Sequence, residues 1–203
     1  YINDESDRQG MRIVIILKQD AVASVVLNTL FKNTPLQSSF AVNNIALVNG
    51  RPQLLNLKDL VRHFVDHRHD VVVRRSRFDL QKAEERIHIV NGLLIAQDNI
   101  DEVVHIIRSS KTGEEAKSRL QERFQLSELQ SAAIMEMRLR QLTGLQRDQL
   151  MAEHDELERT IKYLNDVLQN VDMQMQIIKD ELQEIKQKYG DERRSEIVYS
   201  SEE

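Results

Sequence analysis

Two closely spaced histidines are the first residues of this 203-residue chain that could do chemistry. His63 and His67 stand four positions apart, so on a helix they would share a face and could bind a divalent metal ion. The HExxH form is missing, and the sequence offers no third ligand at a favourable spacing. The six glycines are scattered singly, so no glycine-rich loop is available to hold nucleotide phosphates. We therefore predict no catalytic, cofactor-binding or metal-binding residues in this chain.

The other candidate site is electrostatic. The formal net charge is −5, yet basic residues cluster between positions 51 and 86. A local basic surface in an acidic chain can bind nucleic acid. The alternative is a solvated helix face, which the residues alone favour, because acidic side chains are interleaved and opposite charges four residues apart pair on a helix. The candidates for DNA contact are Arg51, Lys58, Arg62, Arg68, Arg74, Arg75 and Arg77.

A long coiled-coil helix is the clearest structural prediction. Between Leu150 and Tyr189, residues at alternating spacings of four and three are apolar, with His154 as the single exception. A 3.5-residue period held over about 40 residues marks a left-handed coiled-coil seam, in which His154 would set the register. A helix of that length, roughly 60 Å, needs a partner along its whole length.

The partner helix is predicted within the same chain. Asn56 can cap a helix of about 57–97, which carries two apolar stripes. The first stripe comprises Leu57, Leu60, Phe64, Val71 and Phe78, and the second comprises Val73, Leu80, Ala83, Ile87, Val90 and Leu94. Two helices of matched length can fold back as an antiparallel pair that holds the residues between them at its far end.

The residues before Asn56 predict a small α/β region. The β-branched run 11–17 predicts a buried strand, and Asp20 suits the N-cap of a helix over 21–31. Asn49 and Gly50 favour a tight hairpin turn between segments 40–48 and 53–55.

Three capping-box patterns predict short helices in the intervening segment. They are Thr112 with Glu115, Ser127 with Gln130 and Thr143 with Gln146. Apolar residues at positions 129–145 exceed what such short helices can hide among themselves, so they form either an oligomer contact or a private core for this segment. The residues leave both alternatives open.

These elements define a mainly α fold class with a small α/β part. We predict a long antiparallel coiled coil with a globular helical tip, preceded by a strand–helix–hairpin segment. The predicted segments are 1–56, 57–97 (first coiled-coil helix), 98–146 (tip), 147–189 (second coiled-coil helix) and 190–203 (a tail). The absence of cysteine excludes disulfides, and no long apolar run or signal peptide is present, which predicts a soluble, cytoplasmic protein. The start at Tyr1 suggests a piece of a longer protein.

Several stretches resemble a known family. YINDESDRQGMRIVI, NTPLQSSFAVNNIALVNGRPQLLNLKDLVRHFVDHR, VVVRRSRFDLQKAEERIHIVNGLL, MEMRLRQLTGL and YGDERRSEI are similar to the middle of the A subunit of bacterial DNA gyrase. The matched segments run in the right order from residue 1 to about 197. The related subunit of topoisomerase IV is the near alternative.

The resemblance implies a tower-domain segment followed by the coiled coil whose tip is the exit gate for transported DNA in type IIA topoisomerases. It implies a homodimer contact at the tip and makes DNA contact more credible. The implied contact residues are Ile134, Met135, Met137, Arg138, Leu139, Leu142 and Leu145. The family's nucleophilic tyrosine follows an arginine, and no Arg-Tyr dipeptide occurs here, so the chain would dimerise and gate without cleaving DNA.

Other parts of such an enzyme would supply its cofactors. The resemblance implies a heterotetramer with the B subunit of gyrase, through which the whole ATP-dependent enzyme would use ATP and Mg²⁺. The competing hypothesis is a coiled-coil scaffold that dimerises side by side and never meets nucleic acid. The strand, helix and hairpin before Asn56 argue against that scaffold, which would not need them.

Overall fold

The computed structural model describes residues 1–138 and 143–198, which form one unit up to Asn56 and a second from Leu57 onward. In the first unit, strand β1 (Ile2–Asp4) pairs antiparallel with β2 (Ile13–Ile15), so that Ile2 lies opposite Ile15. Helix α1 (Ala23–Asn33) follows, and β3 (Ile45–Val48) pairs with β4 (Arg51–Leu54).

The predicted hairpin is confirmed by its turn. Val48 pairs with Arg51, so Asn49 and Gly50 form a two-residue loop with φ angles of 51° and 77°. Positive φ at both positions matches the right-handed twist of the strands, and asparagine and glycine tolerate it best.

Two predictions for the first unit need correction. The strand over 11–17 is shorter and is not buried, with Met11 95% exposed, because a sheet of two strands covers little of either face. Helix α1 begins two residues later than predicted and has Val22, not Asp20, at its N-cap.

The second unit is helical and confirms the antiparallel pair. It contains α2 (Leu57–Asp98), α3 (Ile100–Ser109), α4 (Gly113–Phe124), α5 (Glu128–Met135), α6 (Gly144–Gln169) and α7 (Val171–Tyr189). Ion pairs between α2 and the later helices run in opposite chain directions: Asp98 with Arg147, Arg86 with Glu153, and Arg68 with Glu181. We call α2, α6 and α7 the stalk, and α3 to α5 the tip.

The second coiled-coil helix is not continuous, which corrects the prediction of one helix over 147–189. It is interrupted at Asn170, whose backbone is extended (φ −125°, ψ 108°) and whose side chain accepts hydrogen bonds from the amides of Asp172 and Met173. Before the break, Leu157, Ile161, Leu164 and Leu168 are buried or half-buried as the seam predicts. After it, Gln174 and Ile178 are buried, whereas Val171 and Met175 are exposed.

The first apolar stripe of α2 is confirmed only in part, since Leu60 and Val71 are half-buried. Leu57, Phe64 and Phe78 are exposed, and the buried side chains of that half are Val72 and Ser76. In the second half of α2, Ala83 and Val90 are buried as predicted.

Gln174 stabilises the break. Its side-chain nitrogen donates to the carbonyl of Val167 at 2.8 Å, and its Oε1 lies 2.6 Å from Nε2 of His69 on α2. The amide side chain thus donates a hydrogen bond to a carbonyl at the end of α6 and also links α7 to α2. Buried backbone carbonyls need such partners where a helix ends.

We expect Gln174→Ala to lower the free energy of unfolding by about 2 kcal/mol, because it removes the buried hydrogen bond to the Val167 carbonyl, which then keeps only the longer bond from the Asn170 amide, and leaves His69 without its partner on α7. Urea denaturation followed by circular dichroism measures the change. Gln176→Ala is the matched control, since the Gln176 side chain donates to Asp180 on the exposed side of the same helix. An equal, small effect of both substitutions would contradict this role of Gln174.

A separate core forms inside the tip. Val103, Ile106 and Leu120 pack with Leu126, Ile134 and Ala96, the last from the end of α2. Ser127 and Gln130 form the complete capping box of α5. The Thr112 side chain caps α4, but the carboxylate of Glu115 accepts from the backbone amide of Lys111 and not from that of Thr112. Thr143 precedes α6 and makes no side-chain cap bond. Of the apolar residues at 129–145, Ile134 lies in this core and Met135 and Met137 pack against it, so the private-core alternative accounts for these three.

Candidate functional site

Helix α5 is docked firmly on α2, which positions the candidate contact surface of the tip. Gln130 donates to the carbonyl of His88 at 2.8 Å, and Nε2 of His88 lies 2.6 Å from the hydroxyl of Ser127. A β-carbon at Gly92 would lie 2.7 Å from Cβ of Gln130, closer than packed side chains approach. Glycine at position 92 therefore allows α5 to approach the α2 backbone.

The predicted contact residues occupy different environments. Ile134 is 3% exposed and belongs to the tip core, so it is removed from the candidate surface. Met135 and Met137 are half-buried and pack against that core, while Arg138 is exposed. Leu145, at the start of α6, is 68% exposed. Leu139 and Leu142 lie outside the described residues.

One exposed leucine was missing from the predicted contact. Leu129 on α5 is 67% exposed, as much as Leu145. Its helix is otherwise well buried, with Gln130, Ser131 and Ile134 facing inward. The capping box fixes where α5 begins but not which of its faces turns outward, so no sequence signal identified Leu129 as exposed.

A groove lies beside the tip, between α2 and α6. Its volume is about 230 Å³, and its lining comprises Arg86, Leu93, Met137, Gln146, Gln149, Leu150 and Glu153. Arg86 donates two hydrogen bonds to the carboxylate of Glu153, at 2.6 and 3.0 Å, and this pairing raises the pKa of the guanidinium. The Met137 side chain thus borders both the tip core and this groove.

Four of the seven predicted DNA-contact residues are engaged in ion pairs. Arg62 pairs with Asp59 at 3.0 Å and Arg74 with Asp70 at 2.9 Å, both within α2. Arg68 and Arg75 pair with Glu181 of α7. The others are Arg51 on β4, and Lys58 and Arg77 on α2, which form no ion pair with a described residue. The interleaved acids thus satisfy part of the basic stretch, while DNA contact itself stays a prediction.

Glu181 bridges two arginines. Its Oε1 accepts from Nη2 of Arg75 at 2.6 Å, and its Oε2 accepts from Nη2 of Arg68. The hydrogen bond from Arg75, and then the charge of Arg75 and the bond from Arg68, lower the pKa of Glu181 despite its partial burial. The carboxylate is therefore ionised at neutral pH.

The potential metal ligands that the structure gathers are not the two histidines considered in the sequence. Within the described residues, the group whose ligand atoms lie within 4.8 Å of one another is His154, Asp155 and Glu158; His63 and His67 are not in such a group. Two of the three are exposed carboxylates on one helix, an arrangement common without an ion. No helix in the described part of the chain is long and apolar enough to cross a membrane.

Comparison with known proteins identifies the family. The family model that describes the A subunit of DNA gyrase and topoisomerase IV matches residues 1–183. The chain belongs to this DNA gyrase/topoisomerase IV family. It is 52% identical to the DNA gyrase A subunit of Ureaplasma parvum over 98% of its residues, and 51% identical to that of Streptococcus pneumoniae over 97%. The Staphylococcus epidermidis protein is 52% identical over 97%.

The chain spans about a quarter of the gyrase A subunits that it matches: 24% of the Ureaplasma and Streptococcus proteins and 22% of the Staphylococcus protein. It is therefore comparable with one region of a topoisomerase polypeptide. Its described tyrosines, at positions 1, 163 and 189, are all exposed, and Tyr199 lies outside the described residues. None of the four follows an arginine.

Proposed function

We propose that this chain is the stalk and exit gate of a gyrase-type A subunit. Two protomers would meet at their tips and enclose a cavity, which a transported duplex leaves when the tips separate. The observation that carries the proposal is the antiparallel stalk ending in a tip with its own core, beside which Leu145 is exposed. A tip that folds without its partner can separate from it and close again without unfolding.

The whole enzyme would introduce negative supercoils by passing one duplex through a double-strand break in another. In that cycle this chain would supply homodimerisation and gating, while the cleaving tyrosine lies elsewhere in the full-length polypeptide. The B subunit would complete the heterotetramer and use ATP and Mg²⁺, in the cytoplasm. The relatives named above are gyrase proteins, which favours gyrase over topoisomerase IV.

The energetics of a gate agree with a small contact. Opening must cost less than the free energy available in one cycle, so a modest apolar surface suits a gate better than the extensive apolar interface of an obligate dimer. Much of the tip's apolar surface is used internally, in the core around Leu120 and Ile134. Among the described residues at this end of the stalk, exposed apolar side chains such as Leu145 remain for a partner.

A reversible cross-link tests the gate. The chain has no cysteine, so Leu145→Cys introduces a single thiol. We expect oxidation to join two copies covalently, because the proposed gate places residue 145 beside the two-fold axis, where each residue meets its own copy in the partner. When the same substitution is placed in the complete heterotetramer, made otherwise free of cysteine, the oxidised enzyme should lose supercoiling and regain it on reduction.

Leu57→Cys is the matched control at the opposite end of α2. It should give little disulfide-linked dimer under the same conditions. Efficient cross-linking through position 57 and none through position 145 would contradict the gate and favour the side-by-side scaffold.

A further inference from the structure

Among the described residues, Glu181 is the acidic residue that neutralises two cations of the predicted DNA-contact set. It reaches from α7 to Arg68 and Arg75 on α2, whereas Asp59 and Asp70 each pair with one arginine of their own helix. The Arg68 side chain is mostly buried, and its Nε is buried without a hydrogen-bond partner. Arg68 is therefore held in place with its charge satisfied mainly by one carboxylate.

Neutralisation of the stalk arginines affects how easily a DNA duplex leaves the stalk. Affinity for DNA grows with the number of phosphates that cations neutralise, because each contact releases condensed counterions. A stalk whose arginines were all available would retain the duplex that it is meant to release. Arginines already paired with a carboxylate must give up that partner before they can bind phosphate.

We infer that Glu181 limits the affinity of the stalk for DNA by holding Arg68 and Arg75 in ion pairs. The cations of α2 that then bind phosphate are Lys58 and Arg77, which form no ion pair with a described residue. This inference rests on the proposed function, since it assumes that a duplex passes the stalk. Glu181 is accordingly a residue that sets affinity through its arginine partners and does not itself touch DNA.

The test compares two isosteric substitutions on adjacent residues. Glu181→Gln removes a negative charge and releases two arginines, whereas Asp180→Asn removes the same charge beside it, where the partner of the carboxylate is the neutral Gln176. Binding of a short fluorescent duplex of mixed sequence is measured by anisotropy across a salt series. We expect Glu181→Gln to raise affinity about tenfold at low salt and to steepen the salt dependence by up to about 1.8 in log–log slope, and Asp180→Asn to do neither.

A second pair of variants keeps the inference testable if Glu181→Gln is unstable. Arg75→Gln removes a cation paired with Glu181, and Arg77→Gln removes one outside that pairing, with equal change in net charge. We expect Arg77→Gln to weaken binding clearly and Arg75→Gln to change it little. Equal effects within either pair, or no binding by any variant at low salt, would overturn the inference.

The oligomeric state of the same samples keeps the two proposals apart. Dimers that fail to respond to Glu181→Gln would overturn only the role of Glu181. Samples that are not dimers joined at the tip would instead contradict the gate.

Discussion

Leu145→Glu should convert a tip-joined dimer into monomers that keep their helices. Leu145 is exposed in the protomer, so the substitution does not disturb the core of a single chain. In the dimer it would remove an apolar contact and bury an unpaired carboxylate, at a cost of about 3 kcal/mol or more, which corresponds to a dissociation constant raised at least about 100-fold. Analytical ultracentrifugation measures the dissociation, and circular dichroism measures the helix content.

The control for this prediction is Leu57→Glu. Leu57 is 75% exposed and lies roughly 60 Å from the tip end of α2, given 1.5 Å per residue over its 42 residues. It should leave the dimer intact if the tips join the protomers. A Leu145 variant that stayed dimeric, or a Leu57 variant that became monomeric, would refute the tip-gate arrangement.

Gly92→Val should loosen α5 from the stalk and lower the free energy of unfolding by about 3 kcal/mol. The new β-carbon would lie 2.8 Å from Cγ of Gln130 and 2.7 Å from its Cβ, whose position the α5 backbone fixes. Relieving the overlap requires α5 to move, which strains the Gln130–His88 hydrogen bond and the capping box. Forced overpacking of this kind costs about 1–3 kcal/mol, and a branched side chain lies at the upper end.

Urea denaturation measures the loss of stability, and hydrogen exchange of the α5 amides shows whether the loss is located in α5. Gly113→Val is the matched control, because nothing lies within 4 Å of a β-carbon at the first residue of α4. We expect its effect to stay within about 0.5 kcal/mol. If both variants were equally stable, Gly92 would have no role in seating α5.

The packing of α5 against α2 connects stability with gating. Ile134 anchors α5 in the tip core, and Gly92 with Gln130 anchors α5 on α2. A Gly92 variant that folds but holds α5 loosely should therefore dimerise less tightly through Leu145. Its dissociation constant can be measured beside that of Leu145→Glu in the same experiment.

Sequence alone determined the features that depend on neighbouring residues. The Asn49-Gly50 turn follows from backbone freedom at two adjacent positions, and the α5 capping box from two side chains three residues apart. The antiparallel pairing of α2 with a later helix follows from two long apolar repeats of matched length, since each must bury its seam. Family membership also follows from sequence, because the matched segments cover most of the chain.

Tertiary structure decided what depends on contacts between distant residues. Asn170 breaks a heptad that the sequence continues through it, and Gln174, a polar residue, becomes buried because Val167 and His69 supply its partners. Ile134 faces inward because helices from across the tip surround it. Arg75 is neutralised by a carboxylate 106 residues away, a partner that no local charge pattern contains. Periodicity predicts which face of a helix is apolar. Which face is buried, and which residue forms an ion pair, depend on the folded structure, because all neighbouring elements together determine burial and desolvation.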